Sequence, residues 1–154
     1  MRFDRFGLTF DHPENWSIDV DDASGLRAAV TVYAPEGGFW SVSAHEPGGP
    51  ALALATAVVA EMRAQYRELD SEPAEDRVAG RHLRGFDMNF YCLDLTNTAQ
   101  VRTIETPTAV YLLLCQAEDR EWERTAPVFA AMTASFVAGL PAAAEPESGP
   151  AARN

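Results

Sequence analysis

The sequence contains no lysine, and all 12 of its basic residues are arginines, set against 23 aspartates and glutamates. The formal net charge is therefore −11. A protein this acidic repels phosphate backbones and anionic lipid headgroups, so that binding to nucleic acid or to a membrane surface requires a local basic exception. Because the arginines are scattered along the chain, we expect neither kind of partner.

The chain also lacks long apolar runs. The longest runs, at residues 51–60 and 109–115, are shorter than the roughly 18 residues that a membrane-spanning helix requires. The charged N-terminus offers no signal-peptide core. Only two cysteines are present, Cys92 and Cys115, and each lies in a hydrophobic run, which favours free thiols in a reducing compartment. We therefore expect a cytoplasmic protein.

The C-terminal segment 138–154 has few bulky apolar residues and is rich in proline, alanine and glycine. Because it has little to bury against a core, we predict that it is a flexible tail. No proline- or glycine-rich linker divides the rest of the chain, so residues 1–137 are predicted to form a single domain.

The hydrophobic pattern runs in the order strands, helix, strands, helix. The two main helices are predicted at about residues 50–69 and 119–137, where apolar residues recur every three or four positions. Short turns between the strand segments favour an antiparallel sheet of about six to seven strands. With a helix on each side, this gives an α+β fold, an α-β-α sandwich. The strand segments are 7–11, 16–20, 28–33, 39–44, 78–95, 100–106 and 109–117, with 68–76 interpreted as an acidic linker and 96–98 as a turn.

The turns imply a register for the last strand segments and hence predict which residues share a face of the sheet. One predicted face carries Met88, Phe90, Cys92, Val101, Val110, Leu112 and Leu114. The other carries Tyr91, Leu93, Ile104, Tyr111, Leu113 and Cys115. Cys92 and Cys115 then lie two strands apart on opposite faces, farther apart than the roughly 7 Å that a disulfide spans.

Two phrases resemble a known family. The opening sequence GLTFDHPENWSI, at residues 7–18, is similar to the start of the PsbP-like superfamily, and residues 127–136 resemble the final helix of that group. The superfamily includes the extrinsic photosystem subunit PsbP, the Ran guanine-nucleotide-release factor and DcrB-like proteins. The resemblance implies an α-β-α sandwich in a bacterial protein that acts in binding, assembly or chaperone-like work, without catalysis.

No arrangement of residues predicts a metal or cofactor site. His12, His45 and His82 are far apart in sequence, and the sequence leaves open whether they converge in space. A hydrolase hypothesis starts from Ser43 and His45, with Ser41 on the same strand and Asp11 at the end of another. Neighbours two apart on a strand are separated by roughly 6.5–7 Å, which we take to be too far for the serine to donate to the histidine. We therefore predict no catalytic residues and a non-enzymatic protein, with an enzyme of unknown type as the least favoured alternative.

A second class of function is open to the same fold. A small hydrophobic ligand carrier needs an apolar pocket between the sheet and a helix. The walls predicted for such a pocket are Phe86, Phe90, Tyr91, Phe129 and Met132.

The favoured hypothesis is binding of another protein through an acidic surface. Charged residues crowd around an aromatic at the start of the second helix, and they make up a candidate site for a partner with a basic surface. The partner-binding candidates are Glu118, Asp119, Glu121, Trp122 and Glu123. The dipole of the helix also favours acids at its N-terminus, so the same residues have a purely structural explanation.

Overall fold

The computed structural model describes residues 1–21 and 28–141 of the chain. Over these residues the chain forms nine strands and two helices. The strands are β1 (Arg2–Arg5), β2 (Leu8–Asp11), β3 (Ser17–Asp21), β4 (Ala29–Tyr33), β5 (Phe39–His45), β6 (Asp70–Val78), β7 (Arg81–Cys92), β8 (Leu95–Glu105) and β9 (Val110–Glu118), and the helices are α1 (Leu52–Gln65) and α2 (Asp119–Ala138).

Seven of these strands form one antiparallel sheet in the order β3-β4-β5-β9-β8-β7-β6, while β1 and β2 pair separately as a hairpin. The predicted α+β fold is confirmed, as is a central antiparallel sheet of six to seven strands. Long apolar strands occupy the middle of the sheet, whereas short or charged strands lie at its two edges. Neither edge of this sheet therefore presents a long apolar strand with which another chain could pair.

The two helices pack on opposite faces of the sheet. Residues Ala55 and Val59 of α1 pack with Met88 and Val101 in one core cluster. The larger cluster lies on the other face, where α2 and the β1–β2 hairpin cover the sheet around Trp40. The pairing of β7, β8 and β9 confirms the predicted division of residues between the two faces and the separation of Cys92 from Cys115. The exception is Leu93, which was predicted to lie on one face and instead lies in the turn after β7.

Two local predictions are wrong. Residues 68–76 are not a linker, because most of them belong to the edge strand β6, which pairs along its whole length with β7. Its charges and Pro73 suit an edge, where one side of the backbone has no neighbouring strand. Residues 96–98 are not a turn, because they lie inside β8. The turn between β7 and β8 comes earlier, at Leu93 and Asp94.

Helix α2 runs from Asp119 to Ala138 with Pro127 inside it, close to the predicted bounds, and α1 is shorter than predicted at both ends. Beyond α2, Leu140 still packs against the larger core cluster. Most of the predicted tail, from residue 142 onward, lies outside the described residues. The division into one domain and a tail stays a prediction.

Candidate functional site

The predicted partner-binding residues surround the first turns of α2. Glu118 is the residue before the helix and forms an ion pair with Arg120. Asp119 accepts a hydrogen bond of 2.7 Å from the hydroxyl of Thr98 on β8. Glu123 lies one helical turn beyond Asp119 and is exposed. Asp119 and Glu123 are therefore accessible on neighbouring turns of the helix, and Glu118 is partly buried just before it.

The other two candidates face the protein. Glu121 is 5% exposed, and its carboxylate accepts the backbone N–H of Gly38. Burial raises the pKa of Glu121, and the nearby charge of Glu36 raises it further. Trp122 is half-buried, with its ring centroid 5.9 Å from that of Phe129. The aromatic side chain at the centre of the predicted site therefore packs in part against the core and is only partly available to a partner.

An apolar hairpin tip lies beside this acidic surface. Cys92 pairs with Leu95, so the turn contains only Leu93 and Asp94. Both have positive φ, 55° and 64°, which is the geometry of a type I′ turn. The side chains around the turn are exposed, with Tyr91 at 59%, Leu93 at 91% and Leu95 at 38%. We call residues 91–95 the hairpin tip.

The strand register places the hairpin tip next to the start of α2. Asn97, two residues after Leu95, pairs with Glu118, and the Thr98–Asp119 hydrogen bond closes the same corner. The hairpin tip and the acidic residues therefore form one surface at one end of the sheet. The sequence did not predict the tip, because its pattern placed Leu93 in a strand and the turn at 96–98.

The hydrolase arrangement is only partly assembled, and one argument against it is wrong. Ser43 Oγ lies 2.9 Å from His45 Nε2, within hydrogen-bonding distance, because side chains on a strand can lean along it and meet. Burial lowers the pKa of His45, which favours the neutral imidazole. Asp11, however, belongs to the β1–β2 hairpin on the opposite side of the sheet, where it forms an ion pair with Arg2.

The histidines do not form a cluster. His12 follows β2 near Phe10, and His45 ends β5 beside Ser43. His82 is the second residue of β7, and its side chain contacts the carboxylate of Glu75 at 2.6 Å. Across residues 1–21 and 28–141, no three His, Cys, Asp or Glu side chains come close enough to hold a metal ion.

A cavity of about 300 Å³ lies between α2 and the sheet. Of the predicted pocket walls, Phe129 lines it, and Met132 is buried in the same core cluster. Phe86 and Phe90 belong to the opposite face, under α1, and Tyr91 is exposed at the hairpin tip. The location of the pocket between sheet and helix agrees with the prediction, but most of its predicted walls are wrong, because even-numbered residues of β7 face α1.

One wall of this cavity is the buried side chain of Arg102. Its guanidinium donates to Asp76 and Asp87, at 2.7 Å each, and to the carbonyl oxygens of Phe86 and Val101, at 3.0 Å each. Burial lowers the pKa of Arg102, but the hydrogen bonds to Asp87 and Asp76 outweigh burial and raise it. A guanidinium has five N–H groups. Arg102 is therefore almost fully occupied by its own fold and joins strands β6, β7 and β8.

No protein-family model matches the chain, and no characterised protein sequence matches it. Several solved structures do match the chain. Cyanobacterial PsbP (CyanoP) from Synechocystis is similar over 88% of this chain and 89% of its own, at 13% identity and a TM-score of 0.60. The chain has a PsbP-like fold. At this level of identity the likeness shows the fold alone.

Two further solved structures are similar to this chain. A Bacteroides thetaiotaomicron protein matches 93% of this chain at 14% identity and a TM-score of 0.55, and the chain spans about half, 47%, of that protein. PA94 from Pseudomonas aeruginosa, a protein of unknown function, matches over 88% of this chain and 94% of its own, at 14% identity and a TM-score of 0.51.

Neither helix of the PsbP-like fold is of the kind that crosses a membrane, as judged over the part of the chain that the structure describes. The cytoplasmic location stays a prediction.

Proposed function

We propose that this protein is a non-catalytic binding protein that docks another protein on the hairpin tip and the acidic residues beside it. The observation that carries the proposal is Leu93, which is 91% exposed and has a φ of 55°. The PsbP-like fold supports the same class of function, because the family it resembles consists mainly of binding and assembly proteins.

Leu93 is unfavourable for the isolated fold in two ways. A non-glycine residue in the left-handed region costs roughly 1–2 kcal/mol, less for asparagine, which type I′ turns prefer at this position. An exposed leucine also gains none of the roughly 2 kcal/mol that burying its side chain contributes. A partner that covers Leu93 supplies that burial. Backbone strain at an exposed apolar residue is typical of a functional position.

The charge around the hairpin tip defines the partner. Asp94 lies in the turn itself, and Asp119 and Glu123 lie on the adjoining turns of α2. Among the described residues, none of these three carboxylates forms an ion pair. A complementary partner has an apolar socket for Leu93 and Tyr91 surrounded by basic side chains. Binding through these carboxylates weakens as the salt concentration rises.

The β1–β2 hairpin offers a matched control. Phe6 has the same position in its two-residue turn, with a φ of 59°, and is 51% exposed, but the guanidinium of Arg5 lies over its ring. Phe6 also lies beside Tyr111 at the start of β9, whereas the hairpin tip lies near Glu118 at the end of β9. Leu93→Asn and Phe6→Asn therefore make equivalent changes at opposite ends of the sheet.

The test is affinity capture from lysate of the source cells with the full chain, Leu93→Asn and Phe6→Asn as baits. We expect a protein that the full chain and Phe6→Asn retain at low salt, that Leu93→Asn loses, and that elutes as salt rises. Capture that does not depend on Leu93, or that is equal for all three baits, contradicts the proposal.

The cavity under α2 supports a second candidate, a carrier of a small apolar ligand. Besides the polar residues Asp76, Arg77, Gln100 and Arg102, its walls include the apolar side chains of Leu113 and Phe129. Trp40 donates its indole N–H to Thr133 at 2.9 Å within the same lining. A medium-chain alcohol is a suitable probe. If the cavity is a binding site, the alcohol shifts the indole N–H resonance of Trp40 saturably, and Ala126→Phe, which fills the cavity, abolishes the shift. No saturable shift in the full chain removes this candidate.

A further inference from the structure

A basic cleft interrupts the otherwise acidic character of the chain. The segment from Arg77 to Arg84 includes three arginines and one histidine and no acidic residue. The β6–β7 hairpin places all four beside the start of α1, around an open cleft of about 640 Å³. This segment is the local basic exception that the sequence was expected to lack, and the turn between β6 and β7 keeps its basic residues together.

Two of these arginines have no partner among residues 1–21 and 28–141. Neither Arg77 nor Arg84 forms a side-chain hydrogen bond or an ion pair with any residue that the structure describes. Elsewhere, Arg2, Arg120 and Arg124 each pair with a carboxylate. Among the described residues, the guanidinium groups of Arg77 and Arg84 can therefore bind an anion without breaking an ion pair of the fold.

The remaining groups leave the cleft positive. Arg81 donates to the neutral carbonyl oxygen of Pro141, and His82 pairs with Glu75 outside the lining. The carboxylate in the lining is that of Glu105, against three guanidinium groups. An anion in the cleft is therefore attracted by an excess of positive charge.

The register puts the two free guanidinium groups within reach of one ligand. Arg77 pairs with His82, and Arg84 pairs with Glu75, so that Arg77 and Arg84 are diagonal neighbours on the same face of the sheet. Diagonal neighbours on adjacent strands have Cβ atoms roughly 7–8 Å apart, close enough for two arginine side chains to meet on a single tetrahedral group.

We propose that this cleft binds a small anion carrying a phosphate group. Guanidinium groups match phosphate oxygens by paired hydrogen bonds, which a compact ammonium does not. The start of α1, which has no side-chain cap at Ala51, adds the positive end of a helix dipole to the same cleft. A long polyanion extends onto the surrounding acidic surface and is repelled, so the ligand is a small molecule.

In the test, the full chain is titrated at low ionic strength with inorganic phosphate and, separately, with pyrophosphate. Calorimetry measures the binding. We expect the full chain to bind saturably. The double variant, Arg77→Gln with Arg84→Gln, should bind at least tenfold more weakly. Arg67→Gln is the matched control, because Arg67 is also exposed and unpaired among the described residues but lies beyond the other end of α1. It should bind like the full chain.

A second variant protects the test against misfolding. Arg77→Lys with Arg84→Lys keeps both charges and loses the paired hydrogen bonds, so binding should weaken several-fold while thermal unfolding is unchanged. The proposal is overturned if neither probe binds saturably or if Arg67→Gln weakens binding as much as the double variant. It is also overturned if vesicles containing phosphatidic acid bind while free phosphate and pyrophosphate do not.

Discussion

The carboxylate of Glu121, in the first turn of α2, accepts the backbone N–H of Gly38, 83 residues away in sequence, through Oε1 at 3.1 Å and Oε2 at 3.2 Å. This contact fixes the start of α2 to the turn before β5. A side chain at position 38 would disturb it, because a Cβ atom there would lie 2.9 Å from Glu121 Oε2. Glu121 thus serves the fold, while its neighbours Asp119 and Glu123 remain available to a partner.

Two substitutions of Glu121 should separate its charge from its hydrogen bond. Glu121→Ala leaves the buried N–H of Gly38 without an acceptor and should lower the free energy of unfolding by about 1–3 kcal/mol. Glu121→Gln keeps an acceptor and removes a buried charge, so at neutral pH it should be at least as stable as the original chain. Urea unfolding at neutral pH measures both, and equal losses for the two variants would contradict this role.

The same residue predicts a pH dependence. Because the pKa of Glu121 is raised in the folded state, its carboxyl contributes stability that is fully present below the unfolded pKa and is lost as pH rises through the folded pKa. The stability of the original chain relative to Glu121→Gln should therefore fall as pH increases from about 4 towards neutral. A relative stability that rises over this range would show that the pKa is lowered instead.

Replacing Leu93 with asparagine should stabilise the isolated protein. Asparagine suits the first position of a type I′ turn, and no buried contact is lost, so the free energy of unfolding should increase by about 0.5–1 kcal/mol. Thermal and urea unfolding measure the change. Destabilisation by more than about 0.5 kcal/mol would mean that Leu93 packs within the fold, and its exposure would then need no partner.

Arg102 should be important for stability because of its hydrogen bonds. Arg102→Met keeps much of the side-chain volume but removes four bonds across β6, β7 and β8, so we expect a loss of about 2–4 kcal/mol in the free energy of unfolding. Arg77→Met is the control, because Arg77 follows Asp76 on the same edge strand, forms no such bonds among the described residues, and should change stability by less than about 0.5 kcal/mol. Similar losses for both variants would refute the assignment.

The two thiols should differ in reactivity. Burial raises the pKa of Cys115 to about 12, so that almost none of the reactive thiolate exists at neutral pH. Cys92 is only half-buried. Iodoacetamide should modify Cys92 alone in the folded chain and both cysteines in urea, as read by peptide mass spectrometry. Rapid native labelling of Cys115 would show that the α2 side of the sheet opens readily.

The sequence was sufficient to predict the central strands and both helices, because burial there imposes a periodic pattern of apolar residues. Val101, Leu112 and Leu113 could be assigned to faces from alternation alone, and the register confirms them. The edge strand β6 could not be found in this way. Its residues have little apolar surface to bury, and its charges prevent other chains from pairing with the edge of the sheet. A charged, proline-containing segment of this kind looks like a linker in the sequence.

The candidate site depended on local backbone geometry that composition does not encode. A leucine in the left-handed region runs against turn preferences, so the turn at Leu93 was not predicted, whereas residues 96–98 have the composition of a turn and form part of a strand. The inward rotation of Glu121 was equally hidden, since an acid at a helix start is favoured whether it faces solvent or a backbone N–H.

The most direct test of docking at the hairpin tip is photo-crosslinking in the source cells. A photoreactive amino acid replaces Leu93 in one version of the full chain and Phe6 in the other, and both are irradiated at matched expression. The account predicts a discrete crosslinked protein from position 93, with its yield reduced by Asp119→Asn with Glu123→Gln, and none from position 6. No adduct at position 93, or the same adducts from both positions, would contradict it.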